Sequence, residues 1–395
     1  MIPVAEAKAL IKMHTAPLSP VRVPVGDAAG LILSADIYAQ NDIPAFNQSS
    51  MDGYAFSYND WDSKNKLIIQ GEIPAGITED IPLVSQQAIR IFTGGAVPAG
   101  ADTVVMQEKI KVENNYLVID DQRLKKGDNV RIRGAEIKKG TLALEKDSFL
   151  SPAAIGFLAG TGIADVEVYP TPSVAIISTG KELQQPGKSL TRGQVYESNS
   201  FTLKASLEQL NIRDVKIMWV DDKPELLQQV LADSLQNSDM ILLTGGVSVG
   251  DYDFVLQAAT QCGVEKIFHR IKQKPGKPLY FGKKQNQTVF GLPGNPASVL
   301  TCFYEYVLPA IGNMKACKPH LLQIKNVELF HGYKKPPGLT HFLKGVYSNE
   351  KVKTLDAQES YRMSSFSKAN CLICLDEEKQ EWKAGDKVEI HLLPF

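Results

Sequence analysis

The chain has 395 residues, 44% hydrophobic and 22% charged, a balance typical of a globular protein with roughly two to four domains. Its formal net charge of -1 gives no global attraction for nucleic acid or acidic membranes, so we expect neither as a partner. No apolar run approaches the ~20 residues of a membrane span and the N-terminus lacks a signal-peptide core, which predicts a cytoplasmic protein.

The N-terminal part of the chain leads into a compact β-rich region. Residues 4–13 and 27–35 carry short amphipathic stretches. Residues 46–137 hold short apolar runs separated by Gly, Pro, Asn and Asp, a pattern typical of a small β domain. A helix is predicted near residues 152–159, after a short connector.

From residue 170 onward, strand and helix patterns alternate. The predicted order is strand, helix, strand, helix, strand, helix, strand, hairpin and helix, at residues 173–178, 199–210, 215–220, 224–235, 240–243, 254–262, 264–271, 279–290 and 296–312. Asn199 is the expected N-cap of the first of these helices. This alternation predicts a doubly wound α/β domain, whose ligands bind beyond the carboxyl ends of the strands. The tail is predicted to be a small all-β domain.

Three glycine-containing segments in the α/β region indicate one site for a phosphate-bearing ligand. The first, residues 244–253, follows an apolar strand and precedes a helix. Its small residues would let the backbone approach a ligand closely and supply a hydroxyl: Gly245, Gly246, Gly250 and Ser248. Asp251 and Asp253 suit Mg²⁺ beside a phosphate, although the role of helix N-cap is the alternative for Asp253.

The other two segments add positive charge and a helix start. Lys274-Pro-Gly-Lys277 reads as a type II turn with two ammonium groups, whose repulsion an anion would relieve; a solvated charged turn is the alternative. Residues 291–298 open the last helix of the domain, with Asn295 as the expected N-cap and Pro296 in the first turn. A helix start favours an anion, and plain capping is the alternative.

Acidic side chains follow two further strand ends. Glu182 comes after the strand at 173–178 and Asp222 after the strand at 215–220. Both carboxylates are therefore expected at the same rim as the lysines, where they would suit a metal–phosphate site. An ordinary surface position is the alternative for each. In the β-rich region, Asp52 and Thr93 lie in glycine-containing turns that carry no functional signal by themselves.

A series of motifs extends in order over nearly the whole chain: Met51-Asp-Gly-Tyr-Ala55, Phe92-Thr-Gly-Gly95, Val105-Met-Gln-Glu108, Ser178-Thr-Gly-Lys-Glu182, Thr244-Gly-Gly-Val-Ser-Val-Gly250, Lys274-Pro-Gly-Lys-Pro278 and Gly291-Leu-Pro-Gly-Asn-Pro296. With this set the chain closely resembles the molybdopterin molybdenumtransferases, the molybdenum insertases called MoeA in bacteria and the gephyrin E domain in animals. The resemblance implies insertion of molybdenum from molybdate into adenylylated molybdopterin, with release of AMP.

The resemblance also implies an elongated homodimer of multidomain subunits. In this chain we expect a connector domain at 21–45 and 138–169, a β-rich domain at 46–137, an α/β molybdopterin-binding domain at 1–20 and 170–316, and a C-terminal β domain at 317–395. The α/β domain is shared with the molybdopterin adenylyltransferases, which with molybdoenzymes are further candidate partners. Asp52 and Thr93 would enter the active cleft from the partner subunit.

Roles for the rim residues follow from the same resemblance. The nucleotide and pyrophosphate end would be held by Ser248, Asp253 and Lys277, beside Gly245, Gly246 and Gly250. The acidic group that places Mg²⁺ would be Glu182, Asp222 and Asp253, to which the residue pattern itself adds Asp251. Molybdate or the pterin phosphate would be surrounded by Lys274, Pro278, Ser298 and Ser360, with Gly294 and Asn295 as further binding residues.

Two positions depart from the family pattern. Lys344, before Gly345, stands where the family typically has arginine, so the charge is kept but bidentate hydrogen bonding is lost. We expect Lys344 to contact molybdate or the terminal phosphate in place of that arginine. Glu136, two residues after Arg133-Gly134, stands where the bacterial pattern often has an acidic pair.

Two other functions stay open at the level of sequence. The gephyrin branch also uses this fold as a scaffold for receptor tails, which would need an exposed apolar groove. The other alternative is a molybdopterin adenylyltransferase relative that uses only the α/β domain. The additional β-rich and C-terminal domains and the Lys274–Lys277 motif argue against it.

Overall fold

The computed structural model describes residues 1–61, 65–76, 81–221, 223–246, 254–317 and 322–394. The chain folds into two compact units, of which the larger comprises Met1–Val21, Gly30–Ser34 and Glu167–Phe395 and the smaller Arg22–Ala29 and Ala35–Val166. The finer division into connector, β-rich, α/β and C-terminal domains stays a prediction. Within the described ranges no helix is long and apolar enough to cross a membrane.

The elements before residue 170, numbered in chain order, are mostly short strands. The helices are α1 (Val4–His14) and α2 (Pro152–Gly160). The strands are β1 (Val21–Pro24), β2 (Ile32–Leu33), β3 (Ile37–Tyr38), β4 (Gln48–Ser49), β5 (Gly53–Phe56), β6 (Leu67–Ile73), β7 (Gln87–Ile91), β8 (Thr103–Met106), β9 (Ile110–Glu113), β10 (Tyr116–Ile119), β11 (Val130–Arg131), β12 (Leu142–Leu144) and β13 (Asp165–Tyr169).

The smaller unit is built around a sheet with the strand order β8-β5-β7-β6-β10-β9. Strand β5 lies between β7 and β8, antiparallel to both, and every residue in it is buried. Because alternate side chains point to opposite faces, Tyr54 and Phe56 pack with Leu67 on one face, and Ala55 packs with Ile91 on the other. The short apolar runs of this region therefore form the predicted β structure.

The α/β part of the larger unit begins at β14. Its strands are β14 (Val174–Thr179), β15 (Leu183–Gln184), β16 (Val195–Tyr196), β17 (Val215–Val220), β18 (Met240–Thr244), β19 (Glu265–His269), β20 (Gln273–Lys274), β21 (Tyr280–Lys284) and β22 (Gln287–Leu292). Its helices are α3 (Asn199–Gln209), α4 (Pro224–Asn237), α5 (Phe254–Gln261), α6 (Pro296–Cys302) and α7 (Leu308–Met314).

The central sheet of this part has the strand order β17-β14-β18-β22-β21-β19. The first four of these strands are parallel, and β21 and β19 are antiparallel to their neighbours. Side chains of β14 alternate between two apolar clusters: Val174 and Ile176 pack on the face covered by α1, α3, α6 and α7, and Ile177 on the face covered by α4 and α5. The predicted doubly wound α/β fold is confirmed.

The helix predicted at 296–312 contains a wide turn. Between α6 and α7 runs a π-helical turn, Phe303–Val307, whose residues are all buried. Pro309 follows this turn, and in a regular α-helix its ring would clash with the carbonyl of Glu305. A wider turn relieves such a clash, and hydrophobic periodicity alone does not reveal it.

The C-terminal part is an all-β structure, as predicted. It contains β23 (Gln323–Leu329), β24 (Tyr333–Lys334), β25 (Thr340–Ser348), β26 (Lys351–Thr354), α8 (Met363–Phe366), β27 (Cys371–Leu375), β28 (Glu381–Trp382) and β29 (Lys387–Leu392). Its main sheet has the order β20-β25-β26-β23-β29-β27 and closes on itself because β25 also pairs with β27. Strand β20 brings Lys274 opposite His341, which joins this sheet to the α/β part.

A buried ion cluster links three segments of the larger unit. The fully buried Glu305 carboxylate, in the π turn, lies 2.6 Å from Lys8 Nζ of α1 and 2.6 Å from His391 Nδ1 of β29. His391 Nε2 lies 2.9 Å from a Glu389 oxygen. Burial alone would lower the pKa of His391, but Glu305 and Glu389 outweigh burial and raise that pKa to about 9. The histidine is therefore charged at neutral pH.

We predict that this cluster makes the stability of the larger unit fall at alkaline pH. A raised histidine pKa contributes stability that is complete below the unfolded value of 6.5 and is lost as the pH rises through about 9. His391→Gln should remove this dependence, which we expect to be on the order of 1–3 kcal/mol. The free energy of unfolding in urea, measured across this pH range, checks the prediction.

The exposed His331 provides a matched control, since His331→Gln should leave the pH dependence as it is in the unsubstituted chain. An alkaline decline that persists in full in the His391→Gln variant would contradict the assignment of the effect to this cluster.

Candidate active site

Four neighbouring strands end at one edge of the α/β sheet. The register aligns Trp219 of β17 with Ser178 of β14, Ser178 with Thr244 of β18, and Thr244 with Leu292 of β22. The segments that follow these residues therefore leave the sheet at the same edge, where ligands of doubly wound sheets bind.

The turn after β18 has no room for side chains. Gly245 and Gly246 have φ angles of +82° and +61°, and a Cβ on Gly245 would lie 2.2 Å from the Thr179 carbonyl oxygen. The Thr179 hydroxyl, at the end of β14, is buried and has no hydrogen-bond partner among the residues that the structure describes. Because an unpaired buried hydroxyl is costly, a polar ligand atom would be stabilised here.

The start of α6 approaches this glycine turn. A Cβ on Gly294 would lie 4.0 Å from the Gly245 Cα. Asn199 Nδ2 donates to the Gly294 carbonyl over 2.9 Å, and Asn199 Oδ1 is buried without a partner in the described part of the chain. The predicted N-cap role of Asn199 was wrong, because the Glu197 carboxylate accepts the hydrogen bonds of Ser200 N–H and Oγ instead.

Asn199 is thus a candidate site residue that the motif analysis missed. A usable signal existed in the sequence: Glu197 and Ser198 directly precede Asn199, and both have side chains that can accept hydrogen bonds from a helix start. Its side chain turns instead to the start of α6.

A loop of the C-terminal sheet lies against the start of α6. Asn295 Nδ2 donates to Ser360 Oγ over 3.0 Å, and the Ala297 N–H donates to the Ser360 carbonyl over 3.0 Å. Asn295 occupies the predicted N-cap position and Pro296 opens the first turn, but the Asn295 side chain makes no capping hydrogen bond. Ser298, in the first turn of α6, is buried. The structure thus brings the predicted residues Gly294, Asn295 and Ser360 together.

The turn at residues 274–277 presents its two lysines to solvent. The Lys274–Pro275 peptide is cis, and Gly276, at the third position of the turn, has a φ of +91°, the positive value that a type II turn requires there. Lys274 and Lys277 are exposed, and Pro278 after them is half-buried. Both ammonium groups can therefore meet an anion.

Buried polar groups support this turn from below. Gln273 Nε2 donates to the carbonyls of Pro275 over 3.0 Å and Gly276 over 3.3 Å, and the Tyr306 hydroxyl is hydrogen-bonded to Gln273 Oε1. A Cβ on Gly276 would lie 2.6 Å from Cys302 Sγ. Sequence reasoning missed Gln273 and Tyr306, since they are 33 positions apart and neither belongs to a glycine motif.

Glu182 follows β14 as predicted, and its exposed carboxylate folds back over Gly180, where a Cβ would lie 2.8 Å from Oε1. The remaining members of the predicted acidic group and glycine loop lie outside the described residues: Asp222, Ser248, Gly250, Asp251 and Asp253. The predicted magnesium site therefore stays a prediction.

Elsewhere, Cys374, Glu389 and His391 bring potential ligand atoms within 4.8 Å of one another. Both ring nitrogens of that histidine already face carboxylates, so we interpret this group as part of the ion cluster.

Asp52 and Thr93 contact each other within the smaller unit. Asp52 Oδ1 accepts hydrogen bonds from the Thr93 N–H over 2.7 Å and from the Thr93 hydroxyl over 2.8 Å. These bonds, with a smaller contribution from the Arg90 charge, lower the pKa of the exposed Asp52 carboxyl. A Cβ on Gly53 would lie 1.9 Å from the Val105 carbonyl oxygen, which explains the glycine beside Asp52. The pair presents a charged, oriented carboxylate.

Lys344 does not have the free ammonium group that the sequence analysis expected. The side chain is buried, with 3% exposure. Its Nζ donates to the carbonyls of Ala357 over 2.7 Å, Arg362 over 3.0 Å and Glu359 over 3.4 Å. An ammonium group has three donors, so the predicted direct contact with molybdate does not fit this geometry. Lys344 instead holds the loop that carries Ser360.

We predict that Lys344→Met loosens this loop without removing a molybdate ligand. Loss of the hydrogen bonds from the charged ammonium group to these carbonyls costs ~1.5–3 kcal/mol, so the free energy of unfolding should fall by about that amount. Amide exchange at residues 357–362 should become faster, and kcat should fall while KM for molybdate changes little.

Lys353→Met, at an exposed position of the neighbouring strand β26, is the matched control and should change none of these quantities. If KM for molybdate rose in Lys344→Met while the loop kept its exchange rates, Lys344 would contact the anion after all.

Comparisons with known proteins agree with this arrangement. Family models match the chain as the MoeA N-terminal region (domains I and II) at residues 2–162, a probable molybdopterin binding domain at 175–313 and the MoeA C-terminal region (domain IV) at 326–393. A molybdopterin molybdenumtransferase of Haemophilus influenzae is 35% identical over 383 residues, covering 93% of this chain and 92% of that protein. One from Staphylococcus aureus is 30% identical and covers 99% and 95%.

The solved structure of a molybdopterin biosynthesis MoeA protein from Pyrococcus horikoshii matches with a TM-score of 0.83 at 26% identity, covering 99% of both chains. Family models, curated relatives and solved structures thus agree over almost the whole length. The chain belongs to the molybdopterin molybdenumtransferase (MoeA) family, the transferases of molybdenum cofactor biosynthesis.

Proposed function

We propose that the chain inserts molybdenum from molybdate into adenylylated molybdopterin and releases AMP. The observation that carries this proposal is the meeting of three elements: the Gly245 turn, the Gly294 start of α6 and the Ser360 loop. A glycine turn beside an unpaired hydroxyl suits a phosphate group. A helix start joined to a hydroxyl-bearing loop suits a small oxyanion.

In this reaction the described residues would bind and orient anions. Lys274 and Lys277, exposed on a rigidly supported turn, would offset the charge of molybdate and of the phosphate groups. The unpaired Thr179 hydroxyl would donate a hydrogen bond to a phosphate oxygen, and Ser298 and Ser360 would supply hydroxyls near molybdate.

We infer that Mg²⁺ serves as cofactor, held by Glu182 together with Asp222, Asp251 and Asp253. The exposed Glu182 carboxylate at the strand edge offers the oxygen ligands that magnesium prefers. When bound, the ion would offset the charge of the phosphates.

We further propose a cytoplasmic homodimer in which Asp52 and Thr93 complete the site of the partner subunit. Support comes from the exposed Asp52 carboxylate, which the Thr93 N–H and hydroxyl hold in one orientation within the smaller unit. Molybdopterin adenylyltransferase, as supplier of the adenylylated substrate, and molybdoenzymes, as acceptors of the product, are the further partners we propose. The cysteines in the described ranges are free thiols, as in a reducing compartment.

The proposed reaction predicts that AMP release depends on molybdate and on Mg²⁺. Asp253→Asn should lower AMP release by far more than tenfold, because asparagine lacks the negative charge. Asparagine is also a good helix cap, so the free energy of unfolding should change by no more than about 1 kcal/mol. AMP is measured by chromatography, with and without molybdate. Asp233→Asn, on the exposed face of α4, is the matched control.

Normal turnover of a folded Asp253→Asn variant would contradict the metal role. The same preparation separates the other functions: an adenylyltransferase would form adenylylated molybdopterin from ATP, and a scaffold of the gephyrin type would bind partner tails without releasing AMP.

A shared active site predicts complementation between two inactive variants. Asp52→Ala and Lys277→Ala chains, mixed under conditions that allow subunit exchange, should form heterodimers with one intact site and recover part of the activity. Absence of recovery, once exchange is verified by mass spectrometry of tagged chains, would count against a site built from both subunits.

A further inference from the structure

The described residues form a half-open cavity beside the predicted site residue Glu182, whose carboxylate lies over Gly180 in the cavity lining. It has a volume of about 250 Å³ and lies beyond the ends of β14 and β17. Its lining combines an indole with amide and charged groups, contributed by Trp219, Gln184, Gln185, Lys188, Glu197 and Asp221. Its floor is already paired internally, because Ser178 Oγ is hydrogen-bonded to Thr244 Oγ1 and to Glu197.

Trp219 is the unexpected residue of this cavity. Alternate side chains of a strand share a face, so Trp219 lies on the same face of β17 as Val215 and Ile217. Those two pack against the main apolar cluster, whereas Trp219 is 52% exposed and lines the cavity. A half-exposed indole leaves apolar surface in contact with water, which is unfavourable. A flat partner that covered the indole would remove that surface from water.

We propose that Trp219 stacks on the adenine ring of the adenylylated substrate and of the AMP product. This inference rests on the proposed function and adds to it a base-binding subsite at the end of β17. Aromatic side chains stack on nucleobases through their faces. Gln184 Oε1 already accepts from the Gln185 N–H over 2.9 Å, which leaves Gln184 Nε2 and the Gln185 side-chain amide to meet the edge of adenine.

The position of the cavity fits a nucleotide whose phosphate lies on the glycine turn. Strand β14 separates the two places, with β17 on one side and β18 on the other. Neighbouring strands lie about 4.8 Å apart, so the step from the Gly245 turn to the Trp219 wall spans about two strand spacings, comparable with the reach from phosphate to base through a ribose. Lys188 lines the cavity and adds a positive charge to it.

The experiment measures binding of AMP and of ribose 5-phosphate, which lacks the base, to the full-length chain by calorimetry. Trp219→Ala should weaken AMP binding at least about fivefold and leave ribose 5-phosphate binding unchanged. Trp219→Phe should bind AMP nearly as well as the unsubstituted chain but should lose the quenching of tryptophan fluorescence that AMP causes there. Phe330→Ala, at a residue with a similar exposure of 53% in the C-terminal sheet, is the matched control.

The outcomes separate this inference from the proposed function. Equal AMP binding by Trp219→Ala and the unsubstituted chain would overturn the stacking role and leave AMP as the product. Equal weakening of AMP and ribose 5-phosphate binding would also overturn it, since a stacked base is then not what the indole binds. If the unsubstituted chain bound no AMP at all, both the subsite and the nucleotide part of the proposed function would be wrong.

Discussion

The candidate site depends on a close backbone approach at Gly245. A single methyl group there would lie 2.2 Å from the Thr179 carbonyl oxygen, so any other residue would push the end of β18 away from β14. The start of α6 lies directly beside this turn, since a Cβ on Gly294 would lie 4.0 Å from the Gly245 Cα. Strand end, glycine turn and helix start can therefore share one ligand only because the chain has no side chain at this point.

A buried charge extends the same arrangement into the C-terminal sheet. Lys344 holds the 357–362 loop through its carbonyl groups, and that loop in turn holds Asn295 and Ala297 at the start of α6. Lysine keeps the charge of the arginine that the resemblance predicted at this position, but here that charge is directed into the protein. The oxyanion would be bound by neighbouring hydroxyls and by the exposed side chains of Lys274 and Lys277. The positive charge that attracts the oxyanion would then come from the turn at residues 274–277.

The sequence predicted the parts of this molecule that rest on local patterns. Strand–helix alternation identified the α/β fold, and glycine motifs at strand ends identified the edge where Gly245, Gly294 and Asn295 meet. Contacts between distant segments could not be predicted in this way. Tyr306 supports Gln273 across 33 positions, and no propensity connects them.

Capping was the weakest local prediction, because it depends on which of several adequate acceptors the tertiary structure selects. Asn199 is the first residue of α3 and Asn295 directly precedes α6, and both have side chains suited to a helix start. In the folded chain their amides bridge to other elements, and Glu197 and the Ser360 carbonyl satisfy the helix starts. Which group accepts the hydrogen bonds of a helix start is thus decided by the tertiary contacts, not by the residue type at that position alone.

The π-helical turn has a consequence for how the gene can change. Its wide turn directs Glu305 to the ion cluster and the adjacent Tyr306 to the support of the lysine turn. An α-helix rotates by about 100° per residue, so deleting or inserting one residue here would turn α7 and its buried face away from the core. Within this family fold, we expect substitutions at exposed positions near the segment but no insertions or deletions between residues 302 and 308. Alignments of distant relatives should therefore have no gap in this segment.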